Sequence, residues 1–272
     1  MNEPRDLIQS FEKNPQLPKG DGEIVSVYGV ESCPFASGDI LCSRHVLASS
    51  FGPAYTAIWH RDRDGDWHFY QDVPPRQGCA RFFGKALADV TVLPIETHWD
   101  GPRRLSIVAP SRIEWQFDLS STLATRAMNL MGSLMPDTLW KNPSVLAAMA
   151  PVAGVILGAG KLRLTGRAPN GQRFIANPLS TWTVSSAKAT IYGRNLRAVA
   201  PLREQPKLGD FWIPRTGLFA IGRAFFDAFD LNIHSAATNR TELARGDSST
   251  RFVHEPVAHN AGRSVADPAS IS

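Results

Sequence analysis

Short runs of aromatic and β-branched residues, separated by turn residues, cover most of the chain and predict an antiparallel sheet. In the clearest run, 113–119, apolar and polar residues alternate, so one face of that strand is apolar and the other is polar. Asp64 and Gly65 stand between two aromatic runs and predict a hairpin, because glycine adopts positive φ at little steric cost. The predicted strands are 24–28, 40–48, 55–60, 67–71, 80–83, 88–99, 105–108, 113–119, 162–165, 173–176, 182–184, 189–192 and 217–226.

Turn residues and prolines refine two of these predictions. Pro94 lies inside the apolar run 88–99, where we expect a bulge or an edge position because proline cannot donate a ladder hydrogen bond. Asn170 and Gly171 predict a tight hairpin turn into the strand 173–176.

The periodicity changes in the middle of the chain and predicts a helical segment, 120–160. Apolar residues recur every three or four positions in 121–134, and Ser121 is placed to cap that helix. Asn142 followed by Pro143 predicts the start of a second helix. The methionines of this segment are adaptable fillers for a ligand pocket, although core packing explains them equally well.

The stretch 143–160 contains no charged residue and approaches the length of a membrane span. Pro151 and three glycines weaken it as a spanning helix, and strands follow it. We therefore predict two buried or lid helices in this part of the chain, with transient membrane contact through 143–160 as an open alternative.

A chain of 272 residues with 43% hydrophobic content can bury a large core, and one domain is the simplest organisation. We predict an N-terminal arm (1–20) that docks on the body through a short amphipathic turn, and a β-barrel domain (21–232) that contains the helical segment. The remainder, 233–272, is rich in Ala, Ser, Thr and Asn and is predicted to be a disordered tail, because it has too little apolar surface to order itself.

Charge and cysteine content exclude several classes of function. The net charge is only +4, and the Lys and Arg residues are scattered among acidic residues. No basic run is interleaved with aromatic residues, so we expect no nucleic-acid partner. Cys33, Cys42 and Cys79 have neither disulfide-framework nor zinc-site spacing, so we predict reduced thiols and no metal. The N-terminus is charged and lacks the apolar core of a signal peptide, so a cytoplasmic location is expected. No cofactor motif is present, and the oligomeric state is left open.

Polar and aromatic residues on the predicted strands, with one helical methionine, are the candidates for a site. Histidine titrates near neutral pH and a partly buried carboxylate is shifted towards neutrality, so both can transfer protons inside a cavity. The candidate catalytic residues are His60, His98 and Glu96. The candidate ligand-binding residues are Trp59, His45, His68, Arg81, Trp115, Phe117 and Met131. The alternative is that the polar side chains face water near hairpin tips and on outer strand faces.

The sequence His-Trp-Asp-Gly-Pro at 98–102, followed by the strands 105–108 and 113–119, resembles a hairpin of lipocalin-like proteins of the carotenoid 1,2-hydratase and AttH group. The resemblance covers about twenty residues. It implies a lipocalin-like barrel and an apolar, isoprenoid-like or lipid-like ligand. No catalytic residue of that group is matched here.

We therefore predict a mainly β fold, either an antiparallel lipocalin-like β-barrel or a curved sheet, with a helical insertion. A barrel of this size can hold one small ligand, so the leading hypothesis is that it binds an apolar small molecule. The alternative is a cofactor-free isomerase, cyclase or hydratase in which a histidine or glutamate moves a proton inside the cavity. An enzyme would need an ionisable group in the cavity wall, whereas a carrier needs only shape and apolar walls.

Overall fold

The computed structural model describes residues 3–15, 17–18 and 20–234. The helices are α1 (Pro4–Lys13), α2 (Ala80–Phe83), α3 (Leu123–Leu134), α4 (Asp137–Trp140) and α5 (Pro143–Ile156), with 3-10 turns at Pro75–Gln77 and Gly84–Ala86. The strands are β1 (Glu23–Pro34), β2 (Ile40–Ser49), β3 (Tyr55–Arg61), β4 (Trp67–Gln71), β5 (Asp89–Val92), β6 (Glu96–Asp100), β7 (Arg104–Ala109), β8 (Ile113–Ser120), β9 (Thr165–Arg167), β10 (Arg173–Ile191), β11 (Arg194–Asn195), β12 (Lys207–Leu208), β13 (Phe211–Trp212) and β14 (Leu218–Phe226).

One large sheet contains most of these strands, in the spatial order β5-β4-β3-β2-β1-β14-β10-β8-β7-β6, and β9 and β11 also pair with β10. The prediction of a mainly β, curved sheet with a helical insertion is confirmed. The sheet is not purely antiparallel, however, because β5 pairs with β4 in parallel. The two 3-10 turns and α2 lie between these strands and return the chain to the same end of the sheet before β5 begins.

The sheet curls into a half-barrel. The evidence is that its two edge strands follow one another in the sequence and are joined by a short connection. β5 and β6 lie at opposite ends of the strand order, yet only residues 93–95 connect them. Such a connection spans at most about 14 Å, so the edges must lie near each other. Pro94, which cannot donate a ladder bond, stands in that connection between the two edge strands, where we had predicted a bulge or an edge position within one strand.

The concave face is filled by apolar side chains from both sides of the curl. Ile58 and Tyr70 on one side and Ile107 and Trp115 on the other belong to the same buried cluster, which only the inner face can bring together. The helix α1, which lies in the segment predicted as an N-terminal arm, packs against this cluster through Ile8. A second cluster lies on the outer face of the sheet and includes α2 and part of the segment 201–214.

The helices of the insertion begin close to the predicted capping residues, but the apolar side of α3 faces away from the sheet. Asn142 caps α5 as predicted, and Thr122 caps α3 one residue after the predicted Ser121. The apolar stripe of α3 faces outward, whereas its polar residues Thr125 and Asn129 face the sheet. The Asn129 amide accepts a hydrogen bond from the Thr181 N–H at 2.8 Å and donates to the Thr181 carbonyl at 3.0 Å.

Four predicted strands differ from the structure, and one prediction lies almost wholly outside the described residues. The apolar run 80–83 is the helix α2, in which Phe82 stacks on Phe226 with ring centroids 3.8 Å apart. The separate strands predicted in 173–192 are one strand, β10, which continues through Pro178 with a register shift next to it. The tail predicted at 233–272 lies beyond the described chain except for its first two residues.

Candidate functional site

A cavity of about 150 Å³ lies between the outer face of the sheet and the helical segment 120–160. Its floor is built from small residues of β14, Ala220, Gly222 and Ala224, which alternate towards this face. A Cβ atom at Gly222 would lie 2.3 Å from the Asn177 carbonyl oxygen, so only glycine allows β10 and β14 to approach there. Small side chains on the floor leave the space that a ligand would occupy.

The roof of the cavity is contributed by all three helices of the insertion. Met128 and Met131 come from α3, Trp140 from α4, and Met149 and Ala153 from α5. Unbranched, polarisable methionine side chains adapt to different ligand shapes, as the sequence had indicated. The methionine-bearing helices therefore form one wall of a cavity, but on the outside of the sheet and not within the barrel.

The loop after α5 closes one side of the cavity, and Gln205 makes several of the hydrogen bonds that hold it. The Gln205 side chain accepts a hydrogen bond from the Lys161 N–H at 2.7 Å and donates to the carbonyls of Ala159 and Ile213, both at 3.0 Å. Next to this loop, the half-buried Trp212 ring lies between the ammonium groups of Lys161 and Lys207, at 4.9 and 4.6 Å.

An ion pair stands in the cavity wall, which combines apolar side chains with several polar ones. Arg44 Nη2 lies 2.6 Å from Glu31 Oε2, and the two side chains are only 10% and 28% exposed. Arg44 Nη1 also donates to the carbonyls of Val30 and Ser43, at 2.8 and 2.7 Å, and the guanidinium lies 4.4 Å from the centroid of the Trp59 ring. These contacts hold the arginine in place, so both a cation and a carboxylate are available to the polar end of a ligand.

The residues predicted to bind a ligand are divided between the two faces of the sheet. Met131 lines the cavity, and Trp59 lies behind it beneath the Arg44 guanidinium. Trp115 and Phe117 are packed in the inner cluster. The structure therefore does not bring these four side chains into one site.

Arg81 is positioned by α2 and not by the strand we had predicted. Its Nε donates to both carboxylate oxygens of Glu23, at 3.1 and 3.0 Å, and its guanidinium lies over the rings of Phe51 and Phe229. The segment is helical because its phenylalanines pack on the outer cluster after the Pro-rich turn. These contacts join α2 to the first residue of the central strand β1.

His45 is buried on the inner face, where it stacks on Tyr28 with ring centroids 4.6 Å apart. Its Nδ1 lies 3.3 Å from the Thr56 hydroxyl, and its Nε2 has no hydrogen-bond partner among the described residues. Burial, with a smaller contribution from the charge of Arg44, lowers the pKa of His45 to about 3. The ring is therefore neutral at physiological pH.

His60 belongs to a buried polar cluster on the inner face. Its Nε2 lies 2.8 Å from Asp39 Oδ1, and Arg194 donates to both oxygens of the same carboxylate at 2.9 Å. Burial lowers the pKa of His60, and the bond to Asp39 opposes that shift. His68, whose ring centroid is 5.7 Å from that of His60, is held 3.3 Å from Asp62.

Glu96 and His98 are exposed on the edge strand β6, far along the strand order from β1 and β2. The structure brings neither of them, nor His60, to the cavity wall. The catalytic roles of these three residues stay predictions.

Glu31 and Arg44 were missed at the level of sequence. An arginine inside the mainly apolar run 40–48 was the available signal, because a charge on a buried strand needs a partner. Nothing in the sequence placed Glu31 beside it, since that contact depends on the register of β1 and β2, which shifts between Tyr28 and Cys33.

Among the described residues, no group of three or more His, Cys, Asp or Glu side chains is arranged to hold a metal ion. Within the same residues, no helix combines the length and the apolar character needed to cross a bilayer.

No protein-family model and no curated protein matches this sequence. Several solved structures are similar to it, and two of them are acetoacetate decarboxylases. An acetoacetate decarboxylase from Legionella pneumophila has 8% identity and a TM-score of 0.34, over 85% of this chain and 95% of the other. A second acetoacetate decarboxylase structure has 9% identity and a TM-score of 0.37, over 79% and 90% of the two chains. Such low values establish no functional relationship, so function must be argued from the residues of the chain itself.

Proposed function

We propose that this chain binds a small apolar molecule with one polar group, lipid-like or isoprenoid-like, in the cavity beneath its helical insertion. The observation that carries the proposal is the cavity itself, which has small residues for a floor, methionines in its roof and the Arg44–Glu31 pair in its wall. Binding sites for small molecules combine such apolar walls with a few fixed polar groups.

The size of the cavity limits the ligand. A cavity of this volume accommodates about one small ring or a short hydrocarbon segment. The lipocalin-like pattern at 98–102 supports the same ligand class. A longer molecule would extend from the cavity past Met131, which is half exposed.

Filling the cavity is expected to weaken binding. Ala153 is buried in the roof, so Ala153→Leu should lower the affinity for octanoate by about five-fold or more, because overpacking a filled site costs about 1–3 kcal/mol. Titration calorimetry on the full chain measures this affinity, with octanoate as a probe that joins an apolar chain to a carboxylate.

The matched control is Ala147→Leu, the same substitution at an exposed position of the same helix. It should bind octanoate like the unaltered protein. Equal affinities for Ala153→Leu and Ala147→Leu, with both variants folded by circular dichroism, would refute a ligand site in this cavity.

A second proposal is a cofactor-free isomerase, cyclase or hydratase, favoured by one observation. A carboxylate, that of Glu31, stands in the cavity wall beside a fixed arginine, as an enzyme that moves protons requires. Glu31 would transfer the proton and Arg44 would stabilise the negative charge that develops on the substrate.

This second proposal predicts a dependence on Glu31. A compound extracted from the natively purified protein is incubated with fresh protein in D₂O and followed by mass spectrometry. Deuterium incorporation or conversion should slow by about 100-fold or more in Glu31→Gln, the usual contribution of a general acid or base. Glu114→Gln, at an exposed position of β8, should have no effect. A compound whose mass and structure stay unchanged with the unaltered protein would leave binding as the function.

A further inference from the structure

The outer surface of the helical insertion is apolar. On α3, Leu123, Leu130 and Leu134 are 85%, 62% and 74% exposed, and on α5, Val152 and Val155 are 52% and 82% exposed. Residues three, four and seven apart share one side of a helix, so each helix presents an apolar stripe to its surroundings. We call these five residues the outer helical face.

This exposure follows from the way α3 is held. The polar side of the helix is turned inward, with Thr125 fully buried and Asn129 bonded to the backbone of Thr181. A surface helix normally turns its apolar stripe to the core, and an exposed continuous stripe marks a site of interaction.

Basic residues far outnumber acidic ones in the helical insertion and the strands that follow it. Arg126, Lys141 and Lys161 are exposed on the insertion or at its end. The sequence from 119 to 203 contains a single acidic residue, at position 137. Trp212, held between Lys161 and Lys207, adds an amphipathic ring of the kind found at the level of lipid headgroups.

We propose that the outer helical face docks on the surface of an anionic lipid bilayer. The apolar stripes would enter the boundary between headgroups and acyl chains, and the surrounding cations would attract anionic lipids. The helices lie on the membrane and do not cross it, since none in the described part of the chain is suited to span a bilayer. A second copy of this chain is a poorer occupant, because like charges would meet around the paired faces.

If the cavity binds an apolar ligand, as proposed above, docking on a bilayer would bring the cavity to the source of that ligand. Met131 is 49% exposed and also lines the cavity, so the roof of the cavity adjoins the outer helical face. An apolar molecule dissolved in the bilayer would enter the cavity from that side without crossing water.

Flotation of the full chain with vesicles tests the docking surface. Vesicles of phosphatidylcholine alone are compared with vesicles that also contain phosphatidylserine, and binding is expected to be stronger with phosphatidylserine. Lys141→Ala should weaken that binding by about five-fold, the contribution of one basic residue near an anionic surface. Leu134→Asn should weaken it by about ten-fold through lost burial of apolar surface.

The matched control is Leu231→Asn, which replaces a leucine that is 76% exposed outside the insertion, against 74% for Leu134. It should bind vesicles like the unaltered protein. Failure to bind either vesicle, or equal binding by the two asparagine variants, would overturn the proposal. Light scattering that shows a dimer lost in Leu134→Asn would assign the face to self-association instead. Ala153→Leu fills the cavity but leaves the outer helical face unchanged, so this variant should bind vesicles like the unaltered protein. A loss of ligand binding can therefore be distinguished from a loss of membrane docking.

Discussion

Replacing Asp39 with asparagine is expected to lower the free energy of unfolding by about 2 kcal/mol, because it removes a buried carboxylate that pairs with His60 and with Arg194, whose side chain is 41% exposed. The Asp39 side chain is fully buried and accepts hydrogen bonds from His60 and from both terminal nitrogens of Arg194. A neutral amide cannot compensate the guanidinium, and its N–H group would face a donor. Urea unfolding at neutral pH measures the loss.

The same cluster has a defined pH dependence. Burial by itself would raise the pKa of the Asp39 carboxyl, but the bonds from Arg194 and His60 hold it well below its ordinary value of 3.8. The folded state therefore releases this proton more readily than the unfolded state. The stabilisation is fully present above pH 4 and is lost as the pH falls towards the lower pKa of the folded protein.

The control for Asp39 is Asp118→Asn, which breaks a pair with Arg104 on the surface. The two side chains of that pair are 34% and 45% exposed, so water screens it and its loss should cost much less than the loss of Asp39. A similar cost for the two variants would show that the buried cluster contributes no more than a surface ion pair.

The sequence predicts local structure where a few neighbouring residues decide it. Asn142 caps its helix through bonds to Ser144 and Val145, and the Asn170-Gly171 turn joins β9 to β10. The alternation in 113–119 places its apolar side chains in the inner cluster, as expected of a strand with one buried face.

The features that the sequence does not predict depend on contacts between distant parts of the chain. Asp39 and Arg194 are 155 positions apart, and neither carries a local signal for the other. The period of α3 reveals an apolar stripe but not its direction, and the bonds between Asn129 and Thr181 turn that stripe outward. The cavity was therefore expected inside the barrel, whereas the structure has one under the helices.

Replacing His45 with phenylalanine is expected to make the protein more resistant to acid. The pKa of His45 is lowered to about 3 in the folded protein, first by burial and then by the charge of Arg44, whereas an unfolded histidine has a pKa near 6.5. Since the unfolded state takes up the proton first, the stability of the unaltered protein falls by about 1.4 kcal/mol per pH unit as the pH drops below 6.5.

Phenylalanine keeps a flat ring against Tyr28 and loses only the contact with the Thr56 hydroxyl, so the change at pH 7 should be small. Between pH 7 and pH 4, the free energy of unfolding of the variant should fall by about 3 kcal/mol less than that of the unaltered protein. The measurement is the urea midpoint at pH 7 and at pH 4, with His98→Phe as the control on the exposed edge strand. If His45→Phe and His98→Phe lose equal stability between the two pH values, His45 is not held neutral by its burial, and acid sensitivity arises from other groups, such as the Asp39 cluster.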